Sequence, residues 1–126
     1  MAAHEESRIQ KACVLWWRLQ YRKKRHLLFA IPNGAKLAGD QKRRAITGKR
    51  LKEEGLVPGV ADLFLSIPSG DLCGLYIEMK TKTGRQQDSQ KEFERAVREV
   101  GYGYAICRSE KDFERIVTQY LNNGTY

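Results

Sequence analysis

Two apolar runs, Val60–Ile67 (VADLFLSI) and Leu72–Lys80 (LCGLYIEMK), are separated only by Pro68–Ser69–Gly70–Asp71. Runs of this length bounded by turn residues read as buried strands, and so short a turn lays them side by side as a hairpin. The rest of the fold must be built around that pair. Leu27–Ile31 (LLFAI) reads as another short buried strand, stopped by the Pro32–Asn33–Gly34 turn, and Gly101–Cys107 (GYGYAIC) as a fourth. Elsewhere the spacing is helical. Ile9, Cys13, Trp16 and Trp17 predict a helix over about His4–Arg22, ended by the basic run Arg22–His26. Lys42–Glu54 reads as a second, very basic helix closed by Gly55, and Pro58–Gly59 as a turn. Gln86–Val100 has Phe93, Ala96, Val97 and Val100 on one face. Ser109 caps a last helix through about Leu121, with Phe113, Ile116, Val117 and Tyr120 inward and Asn122–Tyr126 as a frayed tail. The order α-β-α-β-β-α-β-α predicts an α/β fold, a mixed sheet of about four strands flanked by helices on both faces.

Alternation along Leu72–Lys80 puts Leu75, Ile77 and Met79 on one face and Tyr76, Glu78 and Lys80 on the other. Met79 belongs to the core. The Cβ atoms of Glu78 and Lys80 are then roughly 7 Å apart, too far for an obligatory ion pair and suited to converging on a third object. Asp62 stands inside the preceding apolar run, where an unpaired carboxylate is costly and must be neutralised by a proton, a hydrogen-bonded cation or a metal. The hairpin would set Asp62 beside Glu78. Two such carboxylates repel unless a cation lies between them, and hard oxygen ligands with room for water suit Mg2+ or Mn2+. Taken singly, Asp62 also reads as a cap near a strand start, and Glu78 with Lys80 as a charge pair on an edge strand.

Of the 126 residues 41% are apolar, enough for one core but not two, so residues 1–126 are read as a single domain. The net charge of +8, from 23 basic and 15 acidic side chains, points to a polyanionic partner, nucleic acid foremost, although a solvated basic surface gives the same count. Lys36, Lys42, Arg43, Arg44, Lys49, Arg50 and Lys52 crowd the segment after the first strand, where they could neutralise phosphates, with the Asn33–Gly34 turn close to the backbone. Arg22–Arg25 reads rather as a solvated helix end. No stretch interleaves aromatic and basic residues as single-strand stacking platforms do, so duplex or branched DNA bound by shape is the expected form. The three cysteines, Cys13, Cys73 and Cys107, form no CxxC pair and read as small buried hydrophobes in a reducing compartment. No apolar run reaches the ~18 residues of a membrane span, and Met1–Gln10 is polar, unlike a signal peptide. A soluble intracellular protein without a membrane partner is expected.

Asp62, fifteen intervening residues, then Glu78-x-Lys80 resembles the PD-(D/E)XK nuclease signature. More closely, the chain is similar to a stand-alone VRR-NUC domain, the virus-type replication-repair nuclease module. The segments that carry this are ESRIQ (Glu6–Gln10), IPNG (Ile31–Gly34), PGVADL (Pro58–Leu63), GLYIEMK (Gly74–Lys80) and SQKE (Ser89–Glu92). Each is weak alone; their order and spacing across nearly the whole chain are not. Ala61 departs from the proline of the general signature, at a position that does no chemistry.

The resemblance implies a restriction-endonuclease-like core. It implies that Asp62 and Glu78, with the backbone carbonyl of Met79, bind Mg2+ or Mn2+. Lys80 would position or activate the attacking water or stabilise charge developing on the phosphate. Glu6 would complete the acidic cluster, and Gln90 would contact Lys80, the water or the phosphate. Glu6 also lies on the helical stripe of Ile9 and Cys13, with Gln10 one turn on. It also reads, less readily, as a first-turn acid serving the helix dipole, and Glu5 competes with it. Gln90 alone reads as an ordinary polar residue opening a helix.

The implied activity is metal-dependent, structure-selective cleavage of DNA phosphodiesters. Small stand-alone members look like Holliday-junction resolvases of bacterial or phage-infected cytoplasm. Symmetric junction cleavage needs two sites, hence a homodimer, and Trp16, Trp17 and Tyr21 offer an aromatic contact for it. A nickase, flap nuclease or other DNA nuclease without junction preference is the alternative within the chemistry. A catalytically silent DNA-binding module is the alternative outside it.

Overall fold

The computed structural model describes residues 2–32 and 39–126. Its elements are α1 (Ala2–Gln20), a 3-10 turn (Arg22–Leu27), β1 (Leu28–Ala30), α2 (Gln41–Glu53), β2 (Leu63–Leu65), β3 (Leu75–Met79), α3 (Asp88–Glu99), β4 (Gly103–Cys107) and α4 (Glu110–Asn123). The strands form one sheet in the order β1-β2-β3-β4. β1–β2 and β2–β3 are antiparallel, and β3–β4 is parallel, joined through α3. The expected mixed four-stranded α/β architecture is therefore present.

The hairpin strands are shorter than their apolar runs, because the flanking backbone is satisfied elsewhere. The Ser66 N–H and hydroxyl both donate to the Leu27 carbonyl, at 2.9 and 2.8 Å. The Ile67 carbonyl accepts from the Tyr120 hydroxyl (2.7 Å), and the Cys73 N–H donates to Gly101 (2.8 Å). β1 is an edge strand and not a buried one, since only Leu28 is covered while Phe29 and Ala30 face out.

One sheet face carries Leu63, Leu65, Leu75, Ile77, Met79, Ala105 and Cys107 against Cys13 and Trp17 of α1 and Phe113, Ile116, Val117 and Tyr120 of α4. Met79 thus sits in the core as its strand parity requires. The other face carries Tyr76 and Tyr104 beneath Phe93 and Val97 of α3. The aromatic surplus of α1 is spent within the chain. Trp17 is fully buried and stacked on Tyr21 at 4.4 Å, and Trp16 meets Phe113 edge-on at 5.9 Å. Those rings fasten α1 to α4, and the exposed apolar residues of the helix are instead Leu15 and Leu19.

Three smaller expectations are corrected. Ala96 and Val100 are exposed on α3, whose covered stripe runs through Phe93 and Val97. Cys73 is exposed, unlike Cys13 and Cys107. The tail is not frayed, because Gly124 ends α4 in the left-handed region (φ 72°) and the Tyr126 hydroxyl accepts from the Tyr104 N–H (2.9 Å) and the Arg98 guanidinium (2.8 Å). Aromatics remote in sequence also meet on the sheet. Phe29, Phe64, Tyr76 and Tyr102 form a row with centroid spacings of 5.8, 4.5 and 5.7 Å, although no local stretch announces it. Among the described residues no helix is long and apolar enough to cross a membrane.

Candidate active site

Leu63 pairs with Ile77, so one step along the same antiparallel register sets Asp62 opposite Glu78. Asp62 is tied into the sheet twice. Its carbonyl accepts the Ile31 N–H (2.8 Å), and its Oδ2 accepts the Met79 N–H (2.7 Å). Asp62 therefore does cap a backbone donor, on the neighbouring strand, with one carboxylate oxygen.

Glu78 is fully buried on β3. The Tyr104 hydroxyl donates to its Oε1, whereas its Oε2 has no hydrogen-bond partner. The Lys80 ammonium lies 3.5 Å from that Oε2, with Lys80 itself only 8% exposed. The pair is thus neither a surface pair nor held apart by the strand rise. Strand geometry fixes the Cβ atoms, and the long lysine stem brings Nζ back toward Glu78.

Burial pushes the Glu78 carboxyl up from its ordinary value, opposed by the Tyr104 bond and Lys80 and reinforced by Asp62. Asp62 is raised by burial, against the pull of the Met79 N–H and Lys80. Glu6, half-buried near the start of α1, is raised by burial; Lys80 opposes the shift and Asp62 adds to it. Glu6 therefore shares an electrostatic environment with Asp62 and Lys80, while Glu5 is exposed. Gln90 sits at the opening of α3, where its side-chain oxygen accepts the Gln87 N–H (2.7 Å) in a reciprocal capping box.

Pro58–Gly59 explains how the segment before Asp62 meets α3. Gly59 has φ 87°, and a Cβ there would lie 2.9 Å from the Gln90 nitrogen and closer still to the Ser89 carbonyl. Only glycine lets these backbones approach so closely in that conformation.

Comparison with known proteins bears directly on this arrangement. Residues 4–111 match the model of the VRR-NUC domain. The chain belongs to the VRR-NUC family. A solved chain described as a VRR_NUC domain protein superposes with a TM-score of 0.78 at 21% identity, covering 95% of this chain and 90% of that one. A search of proteins with curated descriptions found no match. Membership implies a nuclease acting on DNA.

Two residues that sequence reading passed over hold this cluster in place. Tyr104 holds Glu78 from β4. Arg108, just beyond β4, donates to the carbonyls of Thr81 and Gly84, both at 2.7 Å, and so clamps the turn that follows Lys80. Neither stands near the acidic residues in sequence, and only the parallel β3–β4 pairing brings them there. Arg108→Ala removes the side-chain donor to both carbonyls and leaves Thr81 only the Gly84 N–H (3.2 Å), and we expect at least a tenfold fall in turnover with a smaller change in DNA affinity, read from single-turnover cleavage and fluorescence anisotropy.

Of the basic residues, Lys42, Arg43, Arg44 and Lys49 lie exposed on α2, a helix that buries no side chain. Asp40 caps it by accepting the Arg43 N–H at 2.8 Å. Asn33 and Lys36 lie outside the described residues. A basic hollow on α1 is lined by His4, Ser7, Arg8 and Lys11.

The donor set fits a hard divalent ion. Among the described residues no three His, Cys, Asp or Glu side chains converge closely enough to cage one. Mg2+, however, is commonly held by one or two carboxylates with several waters, which Asp62 and Glu78 can provide. The buried Oε2 of Glu78 makes no hydrogen bond and has the Lys80 ammonium, 3.5 Å away, as its cationic neighbour, so it keeps acceptor capacity for a metal.

Proposed function

We propose that this chain is a metal-dependent, structure-selective DNA endonuclease that cuts four-way junctions as a homodimer. The observation that carries the chemistry is the buried Glu78 carboxylate, with one oxygen unpartnered, beside the Lys80 ammonium and across the register from Asp62. Asp62, Glu78 and the Met79 carbonyl are the groups that would hold Mg2+ or Mn2+, with Glu6 adding negative charge. Bound there, the ion would polarise the phosphate and favour deprotonation of the attacking water.

This chain's own residues do the rest. Asp62 and Glu78, held by their paired strands, would set where the cation sits and so where the reacting phosphate can lie. Lys80 sits where negative charge develops on the phosphoryl oxygens and stabilises it there. Gln90, at the mouth of α3, orients the phosphate or the water. Lys42, Arg43, Arg44 and Lys49, with Lys36, neutralise the backbone of the bound duplex, and the Asn33–Gly34 turn approaches it.

The junction reading is tested with a labelled four-way junction and a matched linear duplex in Mn2+, together with sedimentation. Paired symmetric cuts in the junction by a dimer are expected. Equal cutting of the linear duplex would leave a general nuclease, and a monomer active on junctions would remove the dimer. Replacing Lys42, Arg43, Arg44 and Lys49 together by alanine is expected to weaken binding to all DNA sequences and to flatten the salt dependence by about one unit of slope per lost phosphate contact. Turnover at saturating DNA should hold.

A pH dependence follows from the buried carboxylates. Asp62 and Glu78 are raised in the folded state, so each is most stabilising when protonated, below about pH 4. That contribution is lost as pH rises through the raised folded values. Metal-free protein should therefore lose stability over this range relative to Glu78→Gln, and Mn2+ should restore it increasingly toward pH 8. Thermal melts across pH with Mn2+ or EDTA check this; a Mn2+ effect of equal size in Glu78→Gln would contradict it.

A further inference from the structure

We propose that Tyr104 is a positioning residue that commits Glu78 to a single metal-facing oxygen and so biases the site toward small six-coordinate ions over Ca2+. The proposal rests on the reading of Asp62 and Glu78 as metal ligands. The Tyr104 hydroxyl donates to Glu78 Oε1, and the other oxygen, Oε2, is left without a hydrogen bond. Glu78 is fully buried, so no bulk water competes for Oε1.

The phenol is itself held on every side. Tyr104 is 1% exposed, its ring packs with Phe93 at 6.3 Å, and its side chain lies against Val97. Its N–H donates to the Tyr126 hydroxyl (2.9 Å), and its carbonyl accepts from the Arg98 guanidinium (2.9 Å). A ring so fixed cannot swing away to release Oε1. Glu78 is thereby restricted to one-oxygen coordination through Oε2. Mg2+ and Mn2+ accept that arrangement, since they demand octahedral geometry and retain water. Ca2+ takes six to eight oxygens and gains from bidentate carboxylates, which the phenol denies it.

The test is Mn2+ binding by the full chain, read from the electron paramagnetic resonance signal of free Mn2+ and competed with Ca2+, for wild type, Tyr104→Phe and Tyr102→Phe. Tyr104→Phe keeps the ring and frees Oε1. We expect the affinity for Ca2+ relative to Mn2+ to rise about tenfold or more in Tyr104→Phe, the scale of effects seen when partners of metal ligands are removed. In Tyr102→Phe it should stay at the wild-type value. An unchanged ratio in a Tyr104→Phe protein with the wild-type fold by circular dichroism overturns the proposal and leaves the metal site standing. Absence of Mn2+ binding in wild type would remove the metal site, and this proposal with it. Should Tyr104→Phe fail to fold, wild-type crystals soaked in Mn2+ decide the matter. Coordination through Oε2 alone supports the proposal, and chelation by both Glu78 oxygens overturns it.

Discussion

Lys80→Met is expected to destabilise the protein by about 3 kcal/mol at neutral pH, because it strands a fully buried Glu78 carboxylate without its cation. The loss should shrink as pH falls, because Glu78, already raised, takes up a proton instead. Glu78→Gln in the same background removes the stranded charge and should recover most of the stability, since replacing both members of a buried pair costs far less than removing one. Cleavage should not recover. Both the single and the double variant should lose at least about three orders of magnitude in turnover, as expected when charge aimed at a transition state is removed. Thermal denaturation and single-turnover cleavage measured on the four proteins of the cycle separate the two effects. Recovery of stability without recovery of activity in the double variant is the expected pattern. Equal stability for Lys80→Met and wild type at neutral pH would show that the pair is not buried as described.

Gly59→Ala is the second large effect. Its methyl must displace the backbone of Ser89 and Gln90 at a φ of 87° that alanine rarely adopts. A backbone neighbour cannot give way as a flexible side chain would. The expected cost is about 2–4 kcal/mol, or a fall in Tm of roughly 10 °C for a domain of this size. The same shift moves the opening of α3, and Gln90 with it, away from the segment that leads into Asp62. Turnover should fall with stability. Gly55 serves as the control, because no atom lies within 4 Å of a Cβ placed there, although its φ of 114° is also left-handed. Gly55→Ala therefore carries only the conformational penalty, and it should cost markedly less than Gly59→Ala.

The acidic pair was legible because it depends on two local rules, the period-two alternation of strands and the short Pro68–Asp71 connection. These are enough to bring Asp62 opposite Glu78. Strand lengths were over-read, because an apolar run such as Val60–Ile67 continues past the point where Ser66 turns its hydrogen bonds to Leu27. The return of Lys80 to Glu78 was not legible, since strand spacing fixes Cβ atoms and says nothing of a long stem's rotamer. Tyr104 and Arg108 were invisible for a different reason. They reach the site across a parallel pairing that a whole helix separates in sequence, and no pattern around either residue reports it. The same holds for the row Phe29, Phe64, Tyr76 and Tyr102, assembled from three strands and the residue just before β4.

Trp16 and Tyr21 show the converse error. Aromatic density on one helix suggested a surface for a second copy, but packing within the chain buries Trp17 and covers part of Trp16 and Tyr21. Periodicity identifies which side chains share a stripe and cannot say which neighbour covers them.

Whether Asp62, Glu78 and Lys80 form a metal-dependent nuclease site is decided by cleavage of a labelled four-way junction by wild type and Asp62→Asn in Mn2+ or EDTA. Wild type should cut in Mn2+ and not in EDTA, and Asp62→Asn should not cut, with DNA binding and melting temperature of the variant retained. Cutting that survives EDTA, or that persists in Asp62→Asn, would contradict that assignment.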